Sequence, residues 1–513
     1  MIGPVRLMLD NFYAEARVRC GAVLVLQEDA QSPPERLLQR IWQHQRLLRD
    51  QLKTLDGQPL RILHPGFHNV ESGPDFRGAV VQFGDEPARS GDVELDLRAN
   101  GWHAHGHDRN PAFANVILHV VWDADPPAGP SSGRPVLLLR QVLDAPLGEL
   151  SLWLGGEASS GLPEQWRGRC CAPLGGLKPA EQLELLHQAA QVRLRSKAAQ
   201  FQARARQEGW EQALWEGLFR GLGYKHNVWP MQRLAELRPR WGLIAGEEAG
   251  RLGRDRVSGR GGGGGEGGNP GRAQVMQARL LGLSGLLPVE LKGGQAGTDR
   301  YVRGLWDSWW RERDGFAEAI LPRGLWHLHG MRPANHPQRR LALASGWAAG
   351  GCVASRLEGW CAQEGPERAV GQKLHELLEL APDEFWSYHW TLSSRRLRKA
   401  QPLLGASRVT DLAVNVVLPW LWARALEGKA GGVQEGLEGR FMRWRAAQDN
   451  SVLRLARERL LGGAGLQSLP GAAAQQGLMQ IVRDFCEHSN AVCDNCKLPA
   501  LVKEMFAGKG KRD

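Results

Sequence analysis

The sequence predicts a small α/β domain, a mixed sheet with flanking helices, followed by a larger and mostly α-helical region. Three observations carry that expectation. Between Glu35 and Ala145 a helical pattern is followed by short strand-like runs separated by Gly and Pro turns. Within them, Val116-Ile117-Leu118 is wholly apolar, as in a strand covered on both faces. Beyond residue 178, apolar residues recur at helical spacing, as at Leu183, Leu186, Ala190 and Leu194.

Taken in order, residues 1–34 end in Ser32-Pro33-Pro34 and read as a loose extension. Residues from Glu35 place Leu38, Ile41, Trp42 and Leu48 at helical spacing, with Pro34 just ahead of the helix. Leu60-Arg61-Ile62-Leu63 reads as a strand closed by His64-Pro65-Gly66. Gly73-Pro74 is a turn, and Asp75 opens a strand through Phe83. The third strand runs from Asp92 to Leu97, Pro111 to Ala114 permits a helical turn, and Val116–Trp122 and Val136–Leu139 complete the domain at 145. A Gly- and Pro-rich linker follows over 146–178. Helical domains are expected over 179–345 and 346–513, the first with a Gly-rich insertion at 256–271 that has no side chains to pack.

At 513 residues and 42% hydrophobic content, the chain is long enough for two or three domains. It holds no run of about 18 apolar residues, so no membrane span is expected. The apolar run Gly21–Leu26 is too short for a signal peptide and acids follow it, which predicts a cytoplasmic protein. Eight cysteines in so long a chain do not make a disulfide scaffold. The net charge of +10 is uneven. Residues 35–145 hold 12 Lys/Arg and 14 Asp/Glu, whereas 146–513 hold 50 and 37. An acidic centre on one part and a basic surplus on the other suits an acid cluster acting on a polyanion, so nucleic acid is the expected partner.

The candidate chemistry centres on Gly91–Asp108. Strand alternation sends Asp92, Glu94 and Asp96 to one face and Val93, Leu95 and Leu97 to the other. With Asp75 upstream, carboxylates so placed suit Mg²⁺ or Mn²⁺, hard cations that take oxygen ligands. The bland reading is a solvated polar face. His103, His105 and His107 alternate, so an extended backbone would put them on one face. A transition metal held by Glu94, His105 and His107 is a variant, as is a general-base or phosphate-contact role for either of the last two. His64 and His119 lie beside strands and read as structural. Cys486-x6-Cys493-x2-Cys496 supplies three thiolates for Zn²⁺ or an Fe–S cluster, with His488, Cys352 or Cys361 as the candidate fourth ligand. Lys225 and Arg332 are candidate phosphate contacts, though both blocks also read as structural corners where Asn caps a helix. Trp306, Trp309 and Trp310 read as core.

Several blocks together resemble the bacterial family catalogued as domain of unknown function 2851. They are His64-Pro65-Gly66, Gly73-Pro74-Asp75-Phe76, Gly91-Asp92-Val93-Glu94, Trp102 with His105-Gly106-His107, and Asn115 to Val121. Leu222 to Asn227, Gly285 to Pro288, Gly330 to Asn335, Gln476-Gly477-Leu478 and the cysteine cluster extend it over roughly 35–500. The resemblance implies membership and no activity. Residues 1–34 and the glycine tract read as additions, and Asp96 stands where the family is expected to carry His. The order Glu35 on a first helix, Asp75 at a second strand and Glu94-Leu95-Asp96 on a third also resembles the PD-(D/E)XK, restriction-endonuclease-like fold. That resemblance implies that the acids hold one or two divalent metals; with His105 and His107, read from their own chemistry, Glu35, Asp75, Glu94 and Asp96 make the candidate catalytic set. Asp96 occupies the position where those nucleases usually carry Lys. A non-catalytic nucleic-acid-binding or scaffold protein on a degraded nuclease fold, and a metal-dependent hydrolase of a small substrate, are the alternatives.

Overall fold

The structure is a computed structural model. It describes residues 11–19, 33–69, 73–123, 133–147, 150, 173–224, 226–241, 270–290, 296–363, 365–461, 469–486 and 496–507. The chain forms two compact units, Met1–Arg204 with Ala425–Asp513, and Ala205–Arg424.

The first unit opens with helix α1 (Phe12–Arg19), so the described part of the N-terminal stretch is ordered, contrary to the loose extension expected there. The reason is a buried ion pair. The Arg17 guanidinium donates to both carboxylate oxygens of Asp484, at 2.9 and 2.8 Å, and the Tyr13 hydroxyl donates to the same carboxylate at 2.7 Å. A lone buried charge is costly, whereas one that is paired and hydrogen-bonded can be held.

Helix α2 (Glu35–Gln43) buries Leu37, Leu38, Ile41 and Trp42 on one face, as its spacing predicts. The Trp42 indole N–H donates to the Pro65 carbonyl at 2.9 Å and ties the helix to the sheet. The strands are β1 (Leu60–His64), β2 (Phe67–His68), β3 (Phe76–Phe83), β4 (Arg89–Arg98), β5 (Val116–Asp123) and β6 (Val136–Leu138). Their order is β1-β3-β4-β5-β6, with β2 also paired to β3. The pairs from β1 to β4 are antiparallel, and β4-β5 and β5-β6 are parallel, so the sheet is mixed as expected. A parallel pair needs a crossover. Between β4 and β5 it contains a single helical turn, α3 (Gly101–Ala104), and a 3₁₀ turn, Pro111–Phe113, whose Ala112 N–H is capped by the Asn110 side chain at 3.0 Å. The main core gathers α2 with Ile62, Phe76, Val81, Val93, Leu95, Leu118 and Val120 on one face of the sheet.

Helix α4 (Pro179–Glu208) has 30 residues, about 45 Å at 1.5 Å per residue. Its Ala203 reaches the sheet core, and its Leu185, Leu186, Ala189 and Val192 enter a second core with α1 and residues from 453 to 502. In the second unit, α5 (Trp210–Gly223) packs on α6 (Val228–Glu236), and α7 (Pro270–Leu283) packs on both α8 (Ala296–Glu312) and α9 (Pro337–Ala349). Helices thus resume at Pro270, at the end of the Gly-rich insertion expected over 256–271. Then come α10 (Val353–Cys361), α11 (Glu367–Leu378) and α12 (Ala406–Leu412), which a π-helical turn joins to α13 (Leu418–Glu427). The run Ala406–Glu427 is long and apolar enough to cross a membrane, and 72% of its most apolar window is buried within the protein, as in a core helix. Back in the first unit, α14 (Gly431–Arg443), α15 (Ser451–Leu461), α16 (Ala472–Phe485) and α17 (Leu498–Ala507) end the described chain. A large helical region therefore follows the mixed sheet.

Candidate functional site: an acid–histidine cluster at the end of the sheet

Asp75 lies just ahead of β3, and the register that pairs Phe76 with Val93 sets it beside Glu94 on β4. The two acids clasp each other's backbone. The Asp75 N–H donates to Glu94 Oε2 at 3.0 Å, and the Leu95 N–H donates to Asp75 Oδ2 at 3.0 Å. The other Asp75 oxygen accepts from the Gln39 amide at 2.8 Å, and Gln39 also reaches Glu35 at 3.4 Å. Glu35 and Gln39 stand one turn apart on α2, so one face of that helix serves the site.

Asp96, two residues beyond Glu94, shares its face and is buried. Its Oδ2 is 2.9 Å from His119 Nε2 on β5, and its Oδ1 is 3.1 Å from His105 Nδ1. Glu94 Oε1 is 3.3 Å from His107 Nδ1, which is buried and makes no aligned hydrogen bond. Trp102 and Phe113 seat the His107 ring, with centroids 5.3 and 4.0 Å away, and Trp102 packs edge-on against His119 at 5.4 Å. Arg134 covers Trp102 at 4.4 Å. Gly101 makes room for this arrangement, because a Cβ there would lie 2.6 Å from Asp96 Oδ1.

The electrostatics follow from burial and from like charges crowded together. Burial, then Asp75, pushes Glu94 up to about 9. Burial pushes Asp75 up to about 7, with Glu35 and Asp96 adding to the rise and the Leu95 N–H opposing it. Glu35 is raised by burial and then by Asp96. His107 is lowered by burial, against the pull of Asp96. The cluster therefore holds protons at neutral pH, which a cation could displace.

The structure thus brings Glu35, Asp75, Glu94, Asp96, His105 and His107 together. Two details of the expected geometry change. Asp92 does not join Glu94 and Asp96. It takes the Gly78 N–H at 3.0 Å, beyond an irregularity in β4–β5 pairing between Asp92 and Val93. The three histidines are not extended, because α3 and the turn after it coil the segment; His103 stands 3.7 Å from Asp108 while His105 and His107 face the acids. Gln39 and His119 were not singled out as site residues. His119 is fully buried, as a structural histidine should be, yet it grips Asp96. Only the pairing of Glu94 with His119 across β4 and β5 reveals that. His64 is structural, its Nδ1 accepting the Gly66 N–H at 3.0 Å.

Arg332 is exposed, and Lys225 and Cys493 lie outside the described residues, as does His488. Cys486 caps the C-terminal end of α16, and Cys496 precedes α17; both are half-buried against the second core. The corner after Arg332 is structural. His336, not an Asn, caps α9 by accepting the Gln338 N–H, while Asn335 accepts from Arg340 at 2.7 Å.

The fold and site together define a mixed α/β domain with a clustered acid–histidine centre, carried on a chain that continues as a large helical region. A family model described as "Protein of unknown function (DUF2851)" matches residues 35–244 and 270–438, and the chain belongs to that family. The match begins at Glu35, contains the whole acid–histidine cluster and skips most of the glycine tract. It ends before Gln476 and the cysteine cluster, short of the span to about 500 expected from the sequence. No curated protein and no solved structure matches the chain.

Proposed function

We propose that the acid–histidine cluster is a divalent-metal centre for phosphodiester hydrolysis, which would make this protein a metal-dependent nuclease acting on DNA or RNA. The observation that supports this reading best is the reciprocal Asp75–Glu94 clasp at the end of a mixed sheet, with Glu35 and Asp96 close enough to raise the pKa of both acids.

The donors are of the right kind for such a cation. Glu35, Asp75, Glu94 and Asp96 offer oxygens, and His107 offers a buried imidazole nitrogen without an aligned partner. They are not preformed, since among the described residues no three acid, histidine or cysteine side chains make a ready ligand set. The Asp75 and Asp96 oxygens are already engaged with Gln39, Leu95, His105 and His119. A bound divalent cation would neutralise charge on a phosphodiester and make an attacking water more acidic. The chain's own residues supply the rest. His107, held neutral by burial, can accept a proton at Nδ1, and Glu94 Oε1 beside it can exchange one. His105, half-exposed on Asp96, is the imidazole best placed to meet a phosphate. Imidazole donors favour Mn²⁺, Fe²⁺ or Zn²⁺ over Mg²⁺.

The alternative with an observation behind it is a non-catalytic nucleic-acid-binding or scaffold protein. Asp96, gripped by two histidines, stands where a PD-(D/E)XK nuclease usually carries Lys. We place the protein in the cytoplasm, and we extend the metal proposal to Zn²⁺ or an Fe–S cluster at Cys486, Cys493 and Cys496, because Cys486 and Cys496 bracket the connection between α16 and α17. The test is cleavage of labelled single- and double-stranded DNA and RNA with Mg²⁺, Mn²⁺ or Zn²⁺. Metal-dependent cleavage that is lost in both Glu94→Gln and Asp75→Asn, with binding retained, supports the nuclease. Binding without cleavage under every metal supports the scaffold reading.

A further inference from the structure

The second unit contains a cluster of cationic and aromatic groups that the acid cluster does not use. It is built as a chain of neighbours. Arg408 lies over the Tyr224 ring, 4.0 Å from its centroid. Two residues on, His226 stacks on His327 at 4.5 Å, and Asn227 clasps the His327 backbone through both ends of its amide, at 2.8 and 2.9 Å. Arg323, four residues before His327, stands near His336. Burial, with Arg323 beside it, pulls that imidazole down to about 4, so His336 is a neutral cap on α9. Asn335 accepts from Arg340, which is buried. Burial, then Arg408 and Arg339, lowers Arg340 to about 9.

Three guanidiniums, of Arg323, Arg340 and Arg408, therefore belong to this group, together with three imidazoles, two amides and a tyrosine. Arg408 also holds Asp411 at 2.8 Å, which offsets one of the charges. Burial is the larger cause of the fall at Arg340, and the charges of Arg408 and Arg339 add to it, which marks a positive potential at that guanidinium. Arg323, Tyr224, His226 and His327 are exposed, so these side chains face solvent.

We propose that this cluster binds a phosphate group, with Arg323 and Arg408 as charge partners, His226 and His327 as side-by-side donors, and Tyr224 as an exposed face for an attached base. Phosphate suits it better than a single carboxylate, because its oxygens can be met from several directions at once. An exposed aromatic beside arginine is the arrangement that stacks nucleobases. The proposal does not rest on the acid cluster's being a metal centre.

The test is binding by the full chain in EDTA at low salt, with inorganic phosphate, adenosine monophosphate and a short fluorescent single-stranded oligonucleotide as separate probes. The variants are Arg323→Ala and the double variant His226→Ala/His327→Ala. All three side chains are exposed, and an unchanged thermal midpoint checks folding. Arg323→Gln is the substitute if Arg323→Ala does not fold. We expect each to weaken binding about tenfold or more, and the Arg323 variant to lower the oligonucleotide's salt slope by about 0.7. Loss of phosphate and oligonucleotide binding together assigns the cluster to a nucleic-acid backbone. Loss of phosphate and mononucleotide binding alone assigns it to a small phosphorylated ligand. Affinities for all three probes that match wild type, or no binding of any probe by wild type, overturn the proposal.

Discussion

Replacing Glu94 by Gln should make the metal-free protein more stable at alkaline pH. Glu94 is pushed from 4.5 up to about 9, chiefly by burial and then by Asp75. A carboxyl whose pKa is raised on folding holds its proton more tightly in the folded state than in the unfolded one. Its contribution is therefore complete below the unfolded pKa and is lost as pH rises through the folded one. Asp75 completes most of its own loss by about pH 7, and His107 is neutral in both states well above pH 6.5. Between pH 7 and 9 Glu94 dominates the slope among these three. At 1.36 kcal/mol per pH unit, two units cost wild type roughly 3 kcal/mol. At about 2.1 cal/mol/K per residue, that is roughly 5 °C in Tm for the first unit, Met1–Arg204 with Ala425–Asp513. Gln at position 94 can still accept the Asp75 N–H and does not titrate. The assay is a thermal melt in EDTA at pH 7, 8 and 9 for both proteins. The Tm of wild type should fall steadily away from that of the variant, and Mn²⁺ should restore wild type alone. Parallel curves in EDTA would refute the account of Glu94 as a buried acid destabilised by its neighbours.

Three further outcomes are expected. Asp484→Ala should cost about 3–5 kcal/mol in urea denaturation by leaving Arg17 buried without its partner, whereas the Arg17→Met/Asp484→Leu pair should recover part of that loss; equal costs for the single and double variants would contradict it. Gly101→Ala places a Cβ against Asp96 and should destabilise by about 1–3 kcal/mol while lowering any metal affinity measured by calorimetry; unchanged stability and affinity would show that Asp96 moves freely. Anaerobically purified protein should carry Zn or Fe by elemental analysis, and Cys493→Ser should lose it, whereas metal-free wild type would remove the cysteine site.

The mixed-sheet domain was legible because its physics is local. The 3.6-residue period of Leu38, Ile41 and Trp42 specifies α2, and glycine and proline turns bracket strands whose alternation separates Glu94 and Asp96 from Val93 and Leu95. The acids and imidazoles of the site could be named because such residues, gathered in so short a span, are unusual on a buried strand. Coiling of the histidine segment was not legible, since a one-turn helix over Gly101–Ala104 leaves no periodicity to read. Nor was the docking of α1. Tyr13 and Arg17 find Asp484 more than 460 residues away, and only the closed core between them makes that pair worth burying. Gly477 is a similar case. A Cβ there would lie 1.9 Å from the Leu186 carbonyl, so α16 can approach α4 only because that side chain is missing. Sequence by itself determined which residues are chemically able to act and on which faces of their elements they stand. Tertiary structure decided which of them meet, because burial, register and the path of the β4–β5 crossover turn Glu94, Asp96 and His119 from neighbours in pattern into groups that feel one another's charge.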